Sequence, residues 1–412
     1  MTLPVYSPTR RIALLLAGTP FSEWTSVEII RDMQDMTSSF TVELRDATRS
    51  VSALIFATLA SYGSAVVLGL TAELRIDGET VLKGWVDTVS PRVSDGEASV
   101  SISGSDKARD LIDGAATVDG PSEFKGKTVD KVIEEIVKPY GMTVRTEVDV
   151  GAPFDRYVLD CGETALSAIE KGLRQRGVLA TSDGVGAIVL TKTGARRAPA
   201  PLRMPGNIIS ASGEFSVEQR HSEYRVKGQA EKAGGKRRQS ARLDSTAAPL
   251  EGDPSDWIDE QDAVETAGVT IEGKATDPDM KRYRPLVTLG RTQLTAEGAQ
   301  KQAEWMERTA RGSSESLEYE VKDWRAGERR ELWRCNELAD VADDFMLISR
   351  DMLIAGVTYV YSENDGARTR LRVTSPDAYD TEPVGSRRTN HKKGGKKSSG
   401  PLDSTAYPLV TP

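Results

Sequence analysis

Residues 84–104 read GWVDTVSPRVSDGEASVSISG, and residues 356–373 read GVTYVYSENDGARTRLRV. In each stretch a glycine opens a strand, an Asp-Gly pair breaks it (Asp95-Gly96, then Asp365-Gly366) and a second strand follows. An Asp-Gly between alternating strands is the strongest short-range hairpin signal, because both central residues of the tight turn take positive φ. In the first copy Ala98, Val100 and Ile102 alternate with serines, so one face is buried and the other wet. Leu82-Lys83-Gly84 matches Ile354-Ala355-Gly356, and the second strands end alike in SISGSD and VTSPD. A glycine at a strand start suits a bulge or a close backbone approach. Two such hairpins also arise by chance in a β-rich chain. Read as a duplication, they predict two similar antiparallel β-barrels in one chain.

Outward from these hairpins, residues 1–107 keep period two at Val27 and Ile29, at Phe40, Val42 and Leu44, and at Leu74 and Ile76, and form the first barrel. Residues 108–198 change to helical spacing. Val129, Val132, Ile133, Ile136 and Val137 run from a Thr128 cap to Pro139, and Leu166, Ile169 and Leu173 lead to a stop at Gly177. VLATSDGVGAIVL adds a hairpin, which completes an α+β unit. Residues 199–228 and 318–381 form the second barrel. The insert 229–317 holds a polar, Gly- and Lys-rich excursion at 229–266 and a helix at about 295–311, whose Ala299, Ala303, Met306 and Ala310 predict close packing. A basic Gly/Ser/Pro-rich tail fills 382–412. The fold class is α+β, mainly β, with two similar barrels and two smaller α/β units. Three such chains in a ring present six similar modules and meet a sixfold partner, and ring closure removes exposed strand edges.

The 412 residues exceed one hydrophobic core, and the net charge of −8 argues against nucleic acid as the main ligand. No apolar run is long enough to span a bilayer, and RRIALLLAG is too short for a signal peptide. Cys161 and Cys335 read as buried free thiols. With only His221 and His391, histidine triads and histidine metal sites are nearly excluded by count.

SDKARDLIDG places Asp106, Asp110 and Asp113 around Arg109. Paired carboxylates suit acid–base work or a metal, and equally a capped helical turn with an ion pair. DPDMKRYRP (277–285) has too few oxygen ligands for calcium, and Arg282, Tyr283 and Arg284 are interface candidates. Trp305, Trp324 and Trp333 read as core or interface anchors, and His221 as a structural residue. The run Arg387, Arg388, Lys392, Lys393, Lys396 and Lys397 touches DNA, pairs with an acidic neighbour or stays solvated. LDSTAAPL (243–250) returns as LDSTAYPL (402–409), as linker duplication or as a motif laid twice into equivalent grooves.

GWVDTVSPRVSDGEASVSISGSDKARDLID, TVDKVIEEIVKPYGMTV, RGVLATSD, FSVEQRHSEYRVKG, ATDPDMKRYRPLV and LWRCNELADVADDFMLISRDMLIAGVTYVYSENDGARTRLRV, in this order, resemble the baseplate central hub proteins of Mu-like contractile-tailed bacteriophages, akin to the T4-type hub. The resemblance implies a homotrimeric, non-enzymatic hub in the virion, assembled in the host cytoplasm, without cofactors, metals or membrane insertion. Its implied partners are itself, the tail tube protein, the central spike protein, the tape measure protein and other baseplate proteins, with DNA only in transit. A tail-associated cell-wall hydrolase and the hub of a phage-derived injector (a bacteriocin or secretion spike) are the alternative readings.

Overall fold

The computed structural model describes residues 11–21, 24–45, 68–94, 97–118, 120–229, 270–290 and 295–381. The Asp95-Gly96 turn, both LDSTAxPL copies and the basic run with Lys392, Lys393, Lys396 and Lys397 lie outside the described residues.

The alternating segments form strands as their period requires. β1 (Ile12–Leu16), β2 (Ser26–Asp32), β3 (Ser38–Arg45), β4 (Thr71–Ile76), β5 (Glu79–Ser94) and β6 (Glu97–Asp106) make the first module. Val27 and Ile29, Phe40, Val42 and Leu44, Leu74 and Ile76, and Val100 and Ile102 are all buried. Asp77 and Gly78 join β4 to β5 with φ of 50° and 85°, the positive pair a tight hairpin turn demands.

The α+β unit follows. Five apolar residues of α1 (Val129–Val137) are buried on one face. α2 (Ala165–Arg174) is capped by Thr164, whose hydroxyl accepts from Ser167 N at 3.2 Å. The strands β7 (Leu179–Ser182) and β8 (Ala187–Thr191) pair around Asp183, whose Oδ1 accepts from the amides of Val185, Gly186 and Ala187 at 2.8–2.9 Å. This unit has its own core.

β9 (Ile208–Phe215) begins the second module, and the chain then leaves it. β10 (Glu223–Gln229), β11 (Thr270–Thr276) and β12 (Pro285–Leu289) form a separate three-stranded sheet, in order β11-β10-β12, under helix α3 (Ala296–Gly312). The strand SEYRVKG, expected in the second barrel, thus belongs to the inserted unit. Helix and sheet touch closely there, as the alanine stripe predicts: a Cβ on Gly273 would fall 2.2 Å from the Ala299 backbone. The chain returns for β13 (Glu315–Lys322), β14 (Glu337–Asp343), β15 (Ile348–Ser362) and β16 (Gly366–Thr374).

The two modules repeat one pairing scheme. The first runs β2-β3-β6-β5-β4 and the second β9-β13-β16-β15-β14, antiparallel throughout. One rung reads Val27–Val42–Ile102–Val89, and its counterpart reads Ala211–Tyr319–Leu371–Val357. The bulges fall at matching places, beside Asp87 in β5 and beside Ala355 in β15. The duplication is therefore real in topology, but the sequence match of Gly84 to Gly356 is displaced. With the bulges aligned, Gly84 stands opposite Met352. Bulges fix register because each inserts a residue the partner strand cannot match.

Neither module closes into a barrel, contrary to expectation. β2, the outer strand of the first module, pairs with β15 of the second, from Ser26↔Ser362 to Asp32↔Gly356. That pairing uses the edge a closed first barrel would need, and it merges both modules into one 14-stranded sheet over one continuous core.

Candidate assembly interface

The sheet junction is reinforced by a charged network. Arg11 reaches Asp77 and Asp323, each at 2.6 Å, and its guanidinium lies 4.9 Å from the centre of the Trp324 ring. Arg325 reaches Asp77 and Glu79, each at 2.9 Å, and Arg334 also holds Glu79 at 2.9 Å. Further along the junction Arg372 pairs with Asp32, and Arg370 with Glu28 at 3.2 Å. The hydrogen bond from Arg11 holds the Asp77 carboxyl below its ordinary range, against the cost of burial. Burial pushes Asp323 up, but Arg11 and the Trp324 amide outweigh it and its carboxyl is also lowered. Sequence reading missed this network, because its members lie hundreds of positions apart and Asp77 reads only as a turn residue.

Buried beside this junction, Glu337 is the counter-case. Burial pushes its carboxyl up to about 7 against the opposing charge of Arg334, and its Oε2 has no hydrogen-bond partner. It borders a polar cleft with Arg31, Arg145, Glu147, Arg196 and Cys335. Cys335 is half-buried, donates to the Arg31 carbonyl at 3.2 Å, and has its thiol pushed up to about 12 by burial. Cys161 is exposed, which corrects the expectation of a buried thiol there. Its place in the loop before α2 leaves it outside the core of the unit.

The acidic candidates do not assemble a reactive pair. Asp106 is buried, accepts from the Ala108 amide at 3.1 Å and from the Ser182 hydroxyl at 2.8 Å, and so caps a turn. Burial raises its carboxyl. Asp113 pairs with Arg109 at 3.0 Å in the exposed i, i+4 arrangement, and Asp110 is exposed. In DPDMKRYRP, Asp277 is held by a two-pronged contact from Arg220 at 2.7 and 2.8 Å. Among the described residues no cluster of three His, Cys, Asp or Glu gathers for a metal.

Of the interface candidates, Arg282 is exposed and Tyr283 is 78% exposed. Arg284 is half-buried and tied down: its amide donates to the Ser222 hydroxyl at 2.9 Å. Their loop leads into β12, an outer strand that shows Val287 and Leu289 to solvent, Leu289 at 80%. Trp324 and Trp333 are buried core residues, while Trp305 donates to the Asp380 carbonyl at 2.9 Å. His221 stacks edge-on against Tyr224, whose hydroxyl accepts the His221 amide at 2.9 Å, a structural role.

Two long edges of the large sheet stand open among the described residues. β9 pairs only with β13, and β5 beyond Val86 pairs only with β6. An open edge of this length invites another strand.

These modules and units match known proteins in sequence order. Residues 11–106 match the N-terminal domain of Mu phage baseplate assembly protein GpP-like proteins. Residues 108–192 match the second domain of gp44-like baseplate hub proteins, and residues 295–382 the fourth domain of the Mu phage baseplate assembly protein GpP. The baseplate hub protein gp44 of Escherichia phage Mu is 29% identical over 94% of this chain and 93% of its own. The chain belongs to the Mu-type baseplate hub proteins. The 43 kDa tail protein of prophage MuSo2 from Shewanella oneidensis has the same fold, with a TM-score of 0.71 and 29% identity, covering 90% of this chain and 100% of that one. A tail protein from Neisseria meningitidis MC58 shares the fold at a TM-score of 0.66 and 19% identity, over 90% of this chain and 98% of its own. This hub is a structural tail protein and not an enzyme. As a hub it works against other tail components and is associated with the virion. No helix among the described residues is long and apolar enough to cross a membrane.

Proposed function

We propose that this hub is a homotrimeric ring adapting the sixfold tail tube to the threefold spike. The observation that carries this is the repeated pairing scheme: two modules of one topology, joined edge to edge in each chain. Three copies then offer six like modules to the tube, while the chain itself repeats only three times for the spike. The ring encloses the channel for the tape measure and, in transit, DNA. The net charge of −8 suits passage without retention, because phosphate binding needs a basic lining. The unit at 108–198 and the inserted unit from β10 to α3 lie outside the repeat, and Arg282, Tyr283 and Arg284 would meet a neighbouring tail protein there. The tail at 382–412 would lie on an outer face, with its lysines against acidic baseplate proteins. Assembly takes place in the host cytoplasm. Native mass spectrometry of the purified chain tests this reading. Three copies support it, and a single copy at high concentration overturns it.

A further inference from the structure

The chain contains one occupied example of a contact that it leaves open at an equivalent place. Inside the chain, β2 lies on the far half of β15, residues 356–362, antiparallel. The near half of β15 is taken by β14. In the other module, the near half of β5 is taken by β4, and its far half meets no further strand among the described residues. The counterpart of β2 is β9, and one side of β9 is likewise unpaired among them. The chain thus presents both halves of a second junction, and they sit in different modules.

We infer that β9 of one chain pairs antiparallel with the far half of β5 in the next, repeating between copies the β2–β15 junction within the chain. This rests on the ring reading and names its contact surface. The two rungs traced above fix the register. Val27 faces Tyr361 across the internal junction, and its counterpart Ala211 faces Val93 across the new one. By the same transfer Glu28↔Val360 becomes Ser212↔Arg92, and Arg31↔Val357 becomes Phe215↔Val89. Chemistry on both edges agrees. β9 reads IISASGEF, with one charge, and its outer end shows Phe215 at 61% exposure. Small side chains along it let a second backbone approach. Pro91 brings no N–H, so at most one rung loses a donor there. The interface joins two different edges, so it is head-to-tail and propagates round a ring instead of closing a twofold dimer.

A cysteine pair reads this register directly. Arg92→Cys and Ser212→Cys are placed together in a Cys161→Ser background, and Glu28→Cys with Val360→Cys serves as the internal control for the same rung. On oxidation the control pair stays at the mass of one chain, and the Arg92/Ser212 pair moves most of the protein into linked species of two and three chains. Three copies by native mass spectrometry without linkage, while the control pair closes, overturn the inference and leave the ring standing. A single copy at every concentration overturns both. The Ser216 amide donates inward to the Ser314 carbonyl, so alternation along β9 turns the Ala211 amide outward. Ala211→Pro, which removes that donor from the edge, is expected to lose the three-copy species while keeping its melting temperature within a few degrees.

Discussion

Arg325 Nε stands 2.9 Å from Asp77 Oδ2, although the two residues are 248 positions apart. Asp77 sits in the turn between β4 and β5, and Arg325 follows β13, so the contact clamps one module to the other. Arg11 grips both oxygens of the same carboxylate, at 2.7 and 2.6 Å. A half-buried carboxylate shared by two arginines matters more than an exposed ion pair.

Asp77→Asn keeps a side chain that tolerates the positive φ and removes the charge both arginines share. The expected loss is about 1–2 kcal/mol of unfolding free energy, measured by urea denaturation at pH 7. The lowered carboxyl sets the pH sense. Its contribution is present above the unfolded value of 3.8 and is lost as pH falls through the lower folded value. Wild type and variant should therefore converge in acid.

Gly84 and Gly356 look equivalent in sequence and are not. A Cβ on Gly84 would lie 1.8 Å from the Ser105 carbonyl oxygen, whereas one on Gly356 would meet Arg372 Cβ and Asp32 Oδ2 at 3.2 Å. Gly84→Ala is expected to cost about 3 kcal/mol or more, and Gly356→Ala about 1 kcal/mol. Melting temperatures of the two variants check this. Equal losses would mean the glycines play one role.

Glu337→Gln should stabilise the protein above neutral pH. The raised folded value means the native state keeps its proton after the unfolded chain has lost it. The resulting stability is full below 4.5 and disappears as pH rises through about 7. The variant's advantage is thus expected to be near zero at pH 4 and to approach about 3 kcal/mol by pH 8. Thermal melts across that range give the answer, and a gap that shrinks with rising pH contradicts it.

Asp110→Asn with Asp113→Asn removes the carboxylates on which a hydrolase reading would rest. Both are exposed and only Asp113 is in an ion pair with Arg109, so unfolding free energy should change by less than about 0.5 kcal/mol. Complementation of a hub-deficient phage should be unaffected. A loss of infectivity with intact assembly would reinstate a chemical role.

By itself the sequence determined what neighbouring residues settle among themselves. Alternation placed Phe40, Val42 and Leu44 inside, helical spacing placed α1 and α2, and the small residues of α3 announced its approach to Gly273. These outcomes depend on side-chain period, caps and turn φ, all carried within a few residues. The repeat was visible too, but its register was not. Two bulges slide the copies so that Asp87, and not Gly84, leads the match, and a bulge announces itself only in a paired strand. Only the tertiary structure decided that β2 meets β15 instead of closing a barrel, that SEYRVKG leaves for the inserted sheet, and that Arg325 finds Asp77. Strand edges carry the same backbone groups everywhere, so which edge meets which is settled by long-range packing.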